Sequence, residues 1–261
     1  MSRIRFFSFF CFMALVIVLA STSLAGPIPG GWACTGGCGT LGLDGVVTLS
    51  PFGSPFYEYV TTVGGPAGGG EIASVGGTNG SMLSTPTFSA KAGDLLDFYF
   101  NYVTSDGSGF ADYGWAELVN ATTLAPVAML FNARTEPAGT IAPGTGLPAP
   151  VATLIPPSVP IISGGPVWSP LGGSSGACYA AGCGYTGWIE SQYNIAAAGN
   201  YVLQFGVTNW TDTIFDTGMA IDGVKVAGNP IPVGNVPEPG TLMLLGSGLI
   251  GVVAMIRRRR S

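Results

Sequence analysis

The chain has 261 residues, 47% hydrophobic and only 9% charged, and it contains no histidine. The missing imidazole excludes Ser-His-Asp and Cys-His catalysis, H-E-x-x-H zinc sites and His-ligated iron or copper. Glycine (42) and proline (20) are abundant, yet 11% aromatic content beside so few charges describes an ordered, turn-rich domain rather than a disordered one.

Residues 1–25 read as a secretory signal peptide. Arg3 and Arg5 lead into an apolar run from Phe6 to Ala20, and Ser23-Leu24-Ala25 supplies the small side chains of a cleavage site, placing the cut after Ala25. Signal peptidase is the implied partner. A retained anchor is the alternative, but the run is short against the ~20 residues of a span.

The body that follows, 26–230, reads as strands. Candidates in chain order are Val46 to Ser50, Phe56 to Thr62, Thr85 to Ala90, Asp94 to Val103, Tyr113 to Ala121, Pro126 to Phe131, Tyr185 to Tyr193, Gly199 to Asn209 and Met219 to Ala227. Two are clear at period two. Leu96, Phe98, Phe100 and Tyr102 share one face, with Asp97 and Asn101 opposite, and Tyr201, Leu203, Phe205 and Val207 do the same. Turn residues between the runs predict an all-β sandwich with no amphipathic helix. Asp222-Gly223 inside the last run is also a hairpin signal, which would split it. The proline- and glycine-rich stretch 134–177 carries Leu147, Val151, Leu154, Ile155, Ile161, Ile162 and Trp168, so it is expected to pack over the sandwich as a long flap rather than link two domains.

Cys11 lies in the leader, and the other four cysteines form two close pairs, Cys34 with Cys38 and Cys178 with Cys183. Four cysteines allow three connectivities. An oxidising compartment favours disulfides, and two local bridges, 34–38 and 178–183, are the favoured pairing. A four-thiolate zinc site is the competing reading, although such sites prefer C-x-x-C.

Residues 231–240 form a linker with the motif Pro237-Glu238-Pro239. Residues 241–261 carry an apolar stretch from Thr241 to Ile256 and then Arg257, Arg258, Arg259 and Arg260. The sixteen apolar residues reach ~24 Å as a helix, slightly short of the hydrocarbon core, and the arginines extend that by snorkelling. Arginine stays cytoplasmic, so a C-terminal transmembrane helix would leave the body outside. Together the Pro-Glu-Pro, the apolar span and the arginine cluster resemble the PEP-CTERM sorting signal of Gram-negative bacteria. The resemblance implies an exosortase that removes the tail, transient anchoring in the inner membrane, and a destination at the cell surface or in an exopolysaccharide or biofilm matrix. An ordinary, uncut anchor is the alternative.

Between Gly26 and Val236 only Lys91, Arg134 and Lys225 are basic against thirteen acidic residues, a net charge near −10. That excludes nucleic acid and anionic lipid as partners, since both require clustered Lys and Arg. Phe88 to Phe98, Gly199 to Val207 and Met219 to Val226 resemble strands of exported choice-of-anchor domains, the last also resembling the closing strand of jelly rolls and carbohydrate-binding modules. The resemblance implies a jelly-roll-like β-sandwich and no proven activity.

Three kinds of site are candidates. Asp106 and Asp112 on a glycine-rich loop, and Asp212, Asp216 and Asp222 later, are oxygen ligands suited to a structural Ca2+; Asp222 is there by the resemblance, and turn chemistry is the simpler reading of all five. Of Trp32, Trp115, Trp168, Trp188 and Trp210, most belong in the core of a sandwich; Trp168 on the flap and Trp188 near a cysteine loop are the candidates for exposure and for stacking on sugar rings. Glu117 and Glu190 are a strand-borne carboxylate pair that a glycoside hydrolase would need. The first hypothesis is a non-enzymatic surface or matrix protein that binds glycan; the alternative is a carbohydrate-active enzyme.

Overall fold

The computed structural model describes residues 25–134 and 146–231; most of the leader, and the Pro-Glu-Pro motif and arginine-ended tail, lie outside the described residues. The strands within them are β1 (Ala33–Thr35), β2 (Gly37–Leu41), β3 (Tyr57–Thr61), β4 (Gly80–Ser84), β5 (Phe88–Ala90), β6 (Leu95–Thr104), β7 (Tyr113–Asn120), β8 (Pro126–Arg134), β9 (Thr153–Ile155), β10 (Ile162–Ser163), β11 (Gly184–Tyr185), β12 (Ile189–Asn194), β13 (Gly199–Thr208), β14 (Thr217–Val226) and β15 (Asn229–Pro230). A 3-10 helix at Ser169–Ser174 interrupts them, and no helix among the described residues is long and apolar enough to cross a membrane.

The strands form an all-β sandwich. One sheet runs β1-β4-β13-β7-β8, with β5 on β13; the other runs β10-β11-β6-β14-β3-β2, with β12 on β6, β9 on β12 and β15 on β14. Leu96, Phe98, Phe100 and Tyr102 of β6 point inward and are fully buried against Leu203, Phe205 and Val207 of β13. Phe98 and Phe205 meet edge to face at 5.2 Å between the sheets, and Trp32 stacks on Phe205. The opposite face of β6 is covered as well: Asp97 and Asn101 are buried, and Asp97 is paired to Lys225 at 2.8 Å.

β14 runs unbroken through Asp222-Gly223. The dipeptide makes a β-bulge instead of a hairpin: the register with β6 shifts between Asp222 and Lys225, and Gly223 takes a φ of 66° that a side chain disfavours. Val46 to Ser50 is no strand. It is a loop held by a bridge between Asp44 and Val47, and Val46 N donates to Val167 O at 2.9 Å.

Both cysteine pairs are disulfides, Cys34–Cys38 and Cys178–Cys183. The first closes the Gly36 turn, where the chain passes from β1 in one sheet to β2 in the other.

From residue 146 to 177 the flap packs on the sandwich and adds short strands to it, β9 against β12 and β10 against β11. Its 3-10 helix carries Trp168 inward. That corrects the expectation of an exposed stacking residue: Trp168 is 0% exposed, its Nε1 donates to Tyr57 Oη at 3.0 Å, and it packs edge-on to Tyr59 and against Gly218. The proline-rich stretch lacks strand periodicity, but its apolar residues still needed a place out of water.

Candidate functional site

The outer face of the six-stranded sheet carries a candidate site. Because Ala116, Leu118, Leu203, Phe205 and Leu83 point into the core, the residues between them point out. Register sets these in two rows across the sheet: Thr35, Met82, Gly206 and Trp115; then Ser84, Gln204 and Glu117. Gly206 makes the first row possible, since a Cβ there would sit 2.4 Å from the Trp115 indole. The indole therefore packs directly on the backbone of β13.

A glycine-rich loop forms the wall. Trp115 Nε1 donates to Gly70 O at 2.7 Å, while the Tyr113 hydroxyl accepts from Ile72 N and donates to Gly76 O, both at 2.8 Å. Loop and sheet line a cleft of about 630 Å³, to which Met129, Pro148 and Glu71 also contribute. Volumes of that size suit a small ligand or a few sugar units. Burial raises the Glu117 carboxyl above its ordinary range. Among the described residues no lysine or arginine lines the cleft.

The structure does not bring Glu117 and Glu190 together. Glu117 is on the outer face of the six-stranded sheet; Glu190, paired with Tyr99 and Ile155, is on the outer face of the other. The intervening residues, Ala116 and Ile189, both enter the core, so the two carboxylates look away from each other across the sandwich and cannot flank one bond.

Trp188 is half-buried on the outer side of the nine-stranded sheet, edge-on to Tyr57, with Nε1 donating to Thr48 O at 3.0 Å. Trp32 and Trp115 are largely buried, and the half-buried Trp210 is covered by the Arg134 guanidinium at 4.2 Å.

The aspartates divide into separate places. Asp106 and Asp112 are buried at one end of the sandwich, with Asp212 in electrostatic reach. Burial pushes Asp106 up to about 7 and Asp112 well above its ordinary value, each raised further by its acidic neighbours. Asp216 Oδ1 accepts from Thr62 Oγ1 at 3.0 Å and Oδ2 from Ser174 Oγ at 2.9 Å, tying the flap's 3-10 helix to the strand ends. Asp222 stands apart at the bulge, accepting from Ser50 Oγ and from Gly223 N. Among the described residues no three acidic or thiol side chains are grouped to hold a metal.

The tail's three parts place the chain among sorted proteins. Residues 235–260 match the PEP-CTERM protein-sorting motif. A PEP-CTERM protein is exported, held transiently in the membrane by its tail, and displayed at the surface after exosortase-dependent processing. No curated protein matches the chain in sequence. Among solved structures, the K1 cleaved adhesin domain of Lys-gingipain from Porphyromonas gingivalis W83 aligns over 79% of this chain and 96% of its own, at 12% identity and a TM-score of 0.38. The K3 cleaved adhesin domain of the same protein aligns over 78% and 97%, at 12% identity and a TM-score of 0.37. A family 11 carbohydrate-binding module from Clostridium thermocellum, in complex with a beta-1,3-1,4-mixed-linked tetrasaccharide, aligns over 69% and 90%, at 12% identity and a TM-score of 0.20.

Sequence reasoning had named Glu117 and Trp115, but not the cleft they share. The readable signal was the alternation Trp115-x-Glu117 facing Gly206-x-Gln204 once the two strands are paired. The Gly68-Gly69-Gly70 wall had no such signal, because a glycine run reads the same in any loop.

Proposed function

We propose that this exported PEP-CTERM protein is a non-enzymatic surface or matrix protein whose jelly-roll-like sandwich binds glycan in the cleft over the six-stranded sheet. The observation that carries this reading is the pairing of an apolar floor, Trp115, Met82 and Met129, with the polar side chains of Glu117, Gln204 and Thr35 at register-fixed positions. Sugars offer an apolar ring face and a rim of hydroxyls, and such a surface meets both. With Glu71 and Glu117 as the charged groups and no lysine or arginine among the described residues of the cleft wall, the site favours a neutral or amine-bearing polysaccharide over a uronic one.

One observation supports the enzymatic reading: Glu71 and Glu117 line the same cleft, and Glu117 is the kind of raised carboxyl a glycosidase uses as its acid. A glycan array on the full chain separates the two. Retention of intact oligosaccharide is the expected result. Release of new reducing ends that Glu117→Gln abolishes would establish hydrolysis instead.

A further inference from the structure

Three loops meet at the end of the sandwich where β6 and β13 finish and β14 begins: 105–112, 178–183 and 209–216. Each brings one aromatic ring to the surface. Tyr179 stands in the middle, edge-on to Phe110 at 5.2 Å between ring centroids and 5.3 Å from Phe215. None of the three belongs to the core clusters. Phe110 and Phe215 are half-buried, Tyr179 is 49% exposed, and Ile214, the neighbour of Phe215, is 60% exposed. Apolar side chains gathered in water are unfavourable until something covers them, and such a group marks an interaction surface.

The platform is tied together by its own backbone. The Cys178–Cys183 bridge closes the middle loop, and Tyr179 N donates to Ser105 O and Ser108 N to Ala181 O, both at 2.9 Å. Gly107 lets these two loops touch, since a Cβ there would sit 2.6 Å from Ala180 O. Ser105 donates through N and Oγ to Asp216 O, at 3.1 and 2.8 Å, which joins the third loop. In that loop Thr211 (φ 83°) and Phe215 (φ 62°) hold left-handed conformations that a side chain disfavours, so the Phe215 ring takes its place beside Tyr179 from a strained backbone. A surface held this firmly loses little entropy when it binds.

The surrounding charge decides what the platform fits. Asp212 and Asp216 lie half-buried in the third loop, and Asp106 and Asp112 are buried in the first. Among the described residues the one cation at this end is Arg134, 8% exposed and turned onto Trp210 at 4.2 Å. Lys91 and Lys225 are at the opposite end, by the start of β13 and the end of β14, and the chain runs on toward its tail from there. Aromatic faces in a negative field recognise a cation. Guanidinium suits them better than ammonium, being planar, weakly hydrated and able to stack. The Arg134–Trp210 contact is the same chemistry satisfied within the chain. We propose that the Phe110–Tyr179–Phe215 platform, at the end remote from the tail, is an interaction surface for an arginine-bearing segment of another protein, whose guanidinium stacks on Tyr179 in the field of the neighbouring aspartates.

The test titrates a capped tetra-arginine peptide into the full chain in mild detergent, at about 0.15 M salt, where long-range attraction is screened. One-to-one saturable binding is expected, tighter than that of capped tetralysine. The whole body is acidic, so charge alone would draw a basic peptide anywhere; the deciding variants are Tyr179→Ala and Tyr179→Phe, which alter no charge. Tyr179→Ala should weaken binding by roughly tenfold or more, and Tyr179→Phe should retain it. Should Tyr179→Ala fail to fold, Ile214→Lys decides: its exposed position keeps folding out of the question, and its charge should repel the peptide with a similar loss. Absent binding, tetralysine binding as tightly as tetra-arginine, or wild-type affinity in folded Tyr179→Ala or in Ile214→Lys each overturns the proposal. So does a glucosamine oligomer that binds in place of the peptide and is lost in Tyr179→Ala, which would make the platform a sugar site.

Discussion

The two outer faces of the sandwich begin alike and end differently. Each is a row of antiparallel strands with a tryptophan and a carboxylate among its outward or overlying residues. On the nine-stranded sheet the chain covers its own surface: the flap drives Trp168 and Leu171 into a cluster with Leu41, Tyr57, Val103 and Ala220, and the loop at Val47 completes the seal. On the six-stranded sheet the glycine loop stops short. It is tethered through Trp115 and Tyr113, and an open cleft remains between the tether and the strands. The difference teaches that a sheet face keeps a cleft only where the chain above it is held back, even when its tryptophan is itself largely buried, as Trp115 is. Here three glycines and two hydrogen-bonding aromatics hold it back.

The strongest way to break that contrast is to remove the plug from the closed face. Trp168→Ala should destabilise the protein by about 3–5 kcal/mol in urea unfolding, the usual cost of deleting a fully buried aromatic, while ligand binding at the cleft persists in the folded fraction. A cost under 1 kcal/mol would mean that the flap does not rest on its tryptophan. A smaller effect is expected at the edge where the faces join. Replacing Cys34 and Cys38 together by serine should lower stability by ~2 kcal/mol or less, because a bridge closing so short a loop removes little chain entropy.

Smaller still, taken per pH unit, is the effect of pH. Burial raises Glu58 of β3 to about 7. A carboxyl raised on folding keeps its proton longer in the native state than in the unfolded one. Its contribution is therefore fully present below about pH 4.5, is lost as pH rises through about 7, and then levels off. Stability should fall between pH 5 and pH 7.5, by at most about 1.4 kcal/mol per pH unit for each such group, and Glu58→Gln should flatten the slope. A flat profile in the wild-type chain would contradict the burial of that carboxyl.

Much of the sandwich was legible in the sequence. β6 and β13 announced themselves, because four large apolar residues at period two have one arrangement that buries them all. β1, β2 and β4 were missed: sequences such as Gly37-Cys38-Gly39-Thr40-Leu41 have too little apolar alternation, and they pair only because neighbours supply the register. The strand from Met219 to Ala227 held, but the conflicting hairpin signal at Asp222-Gly223 could not be resolved from sequence for a related reason. The same dipeptide serves either turn, and only the partner strand decides. Trp168 was a candidate for exposure because it lies on the flap, yet a place on a flap does not say which way its side chain turns. The cleft is a product of pairing between residues 35, 82, 117 and 204, so no single window of sequence contains it.

The most direct test of the account weighs the two faces against each other with one ligand. A neutral or amine-bearing oligosaccharide selected on the glycan array is titrated into three full-length proteins: wild type, the cleft variant Glu117→Ala with Gln204→Ala, and Trp188→Ala on the opposite face. The account predicts binding that weakens at least tenfold in the cleft variant, equivalent to about 1.4 kcal/mol, and stays unchanged in Trp188→Ala. Binding that survives in the cleft variant and disappears in Trp188→Ala would contradict it, and would move the recognition surface to the face that the flap covers.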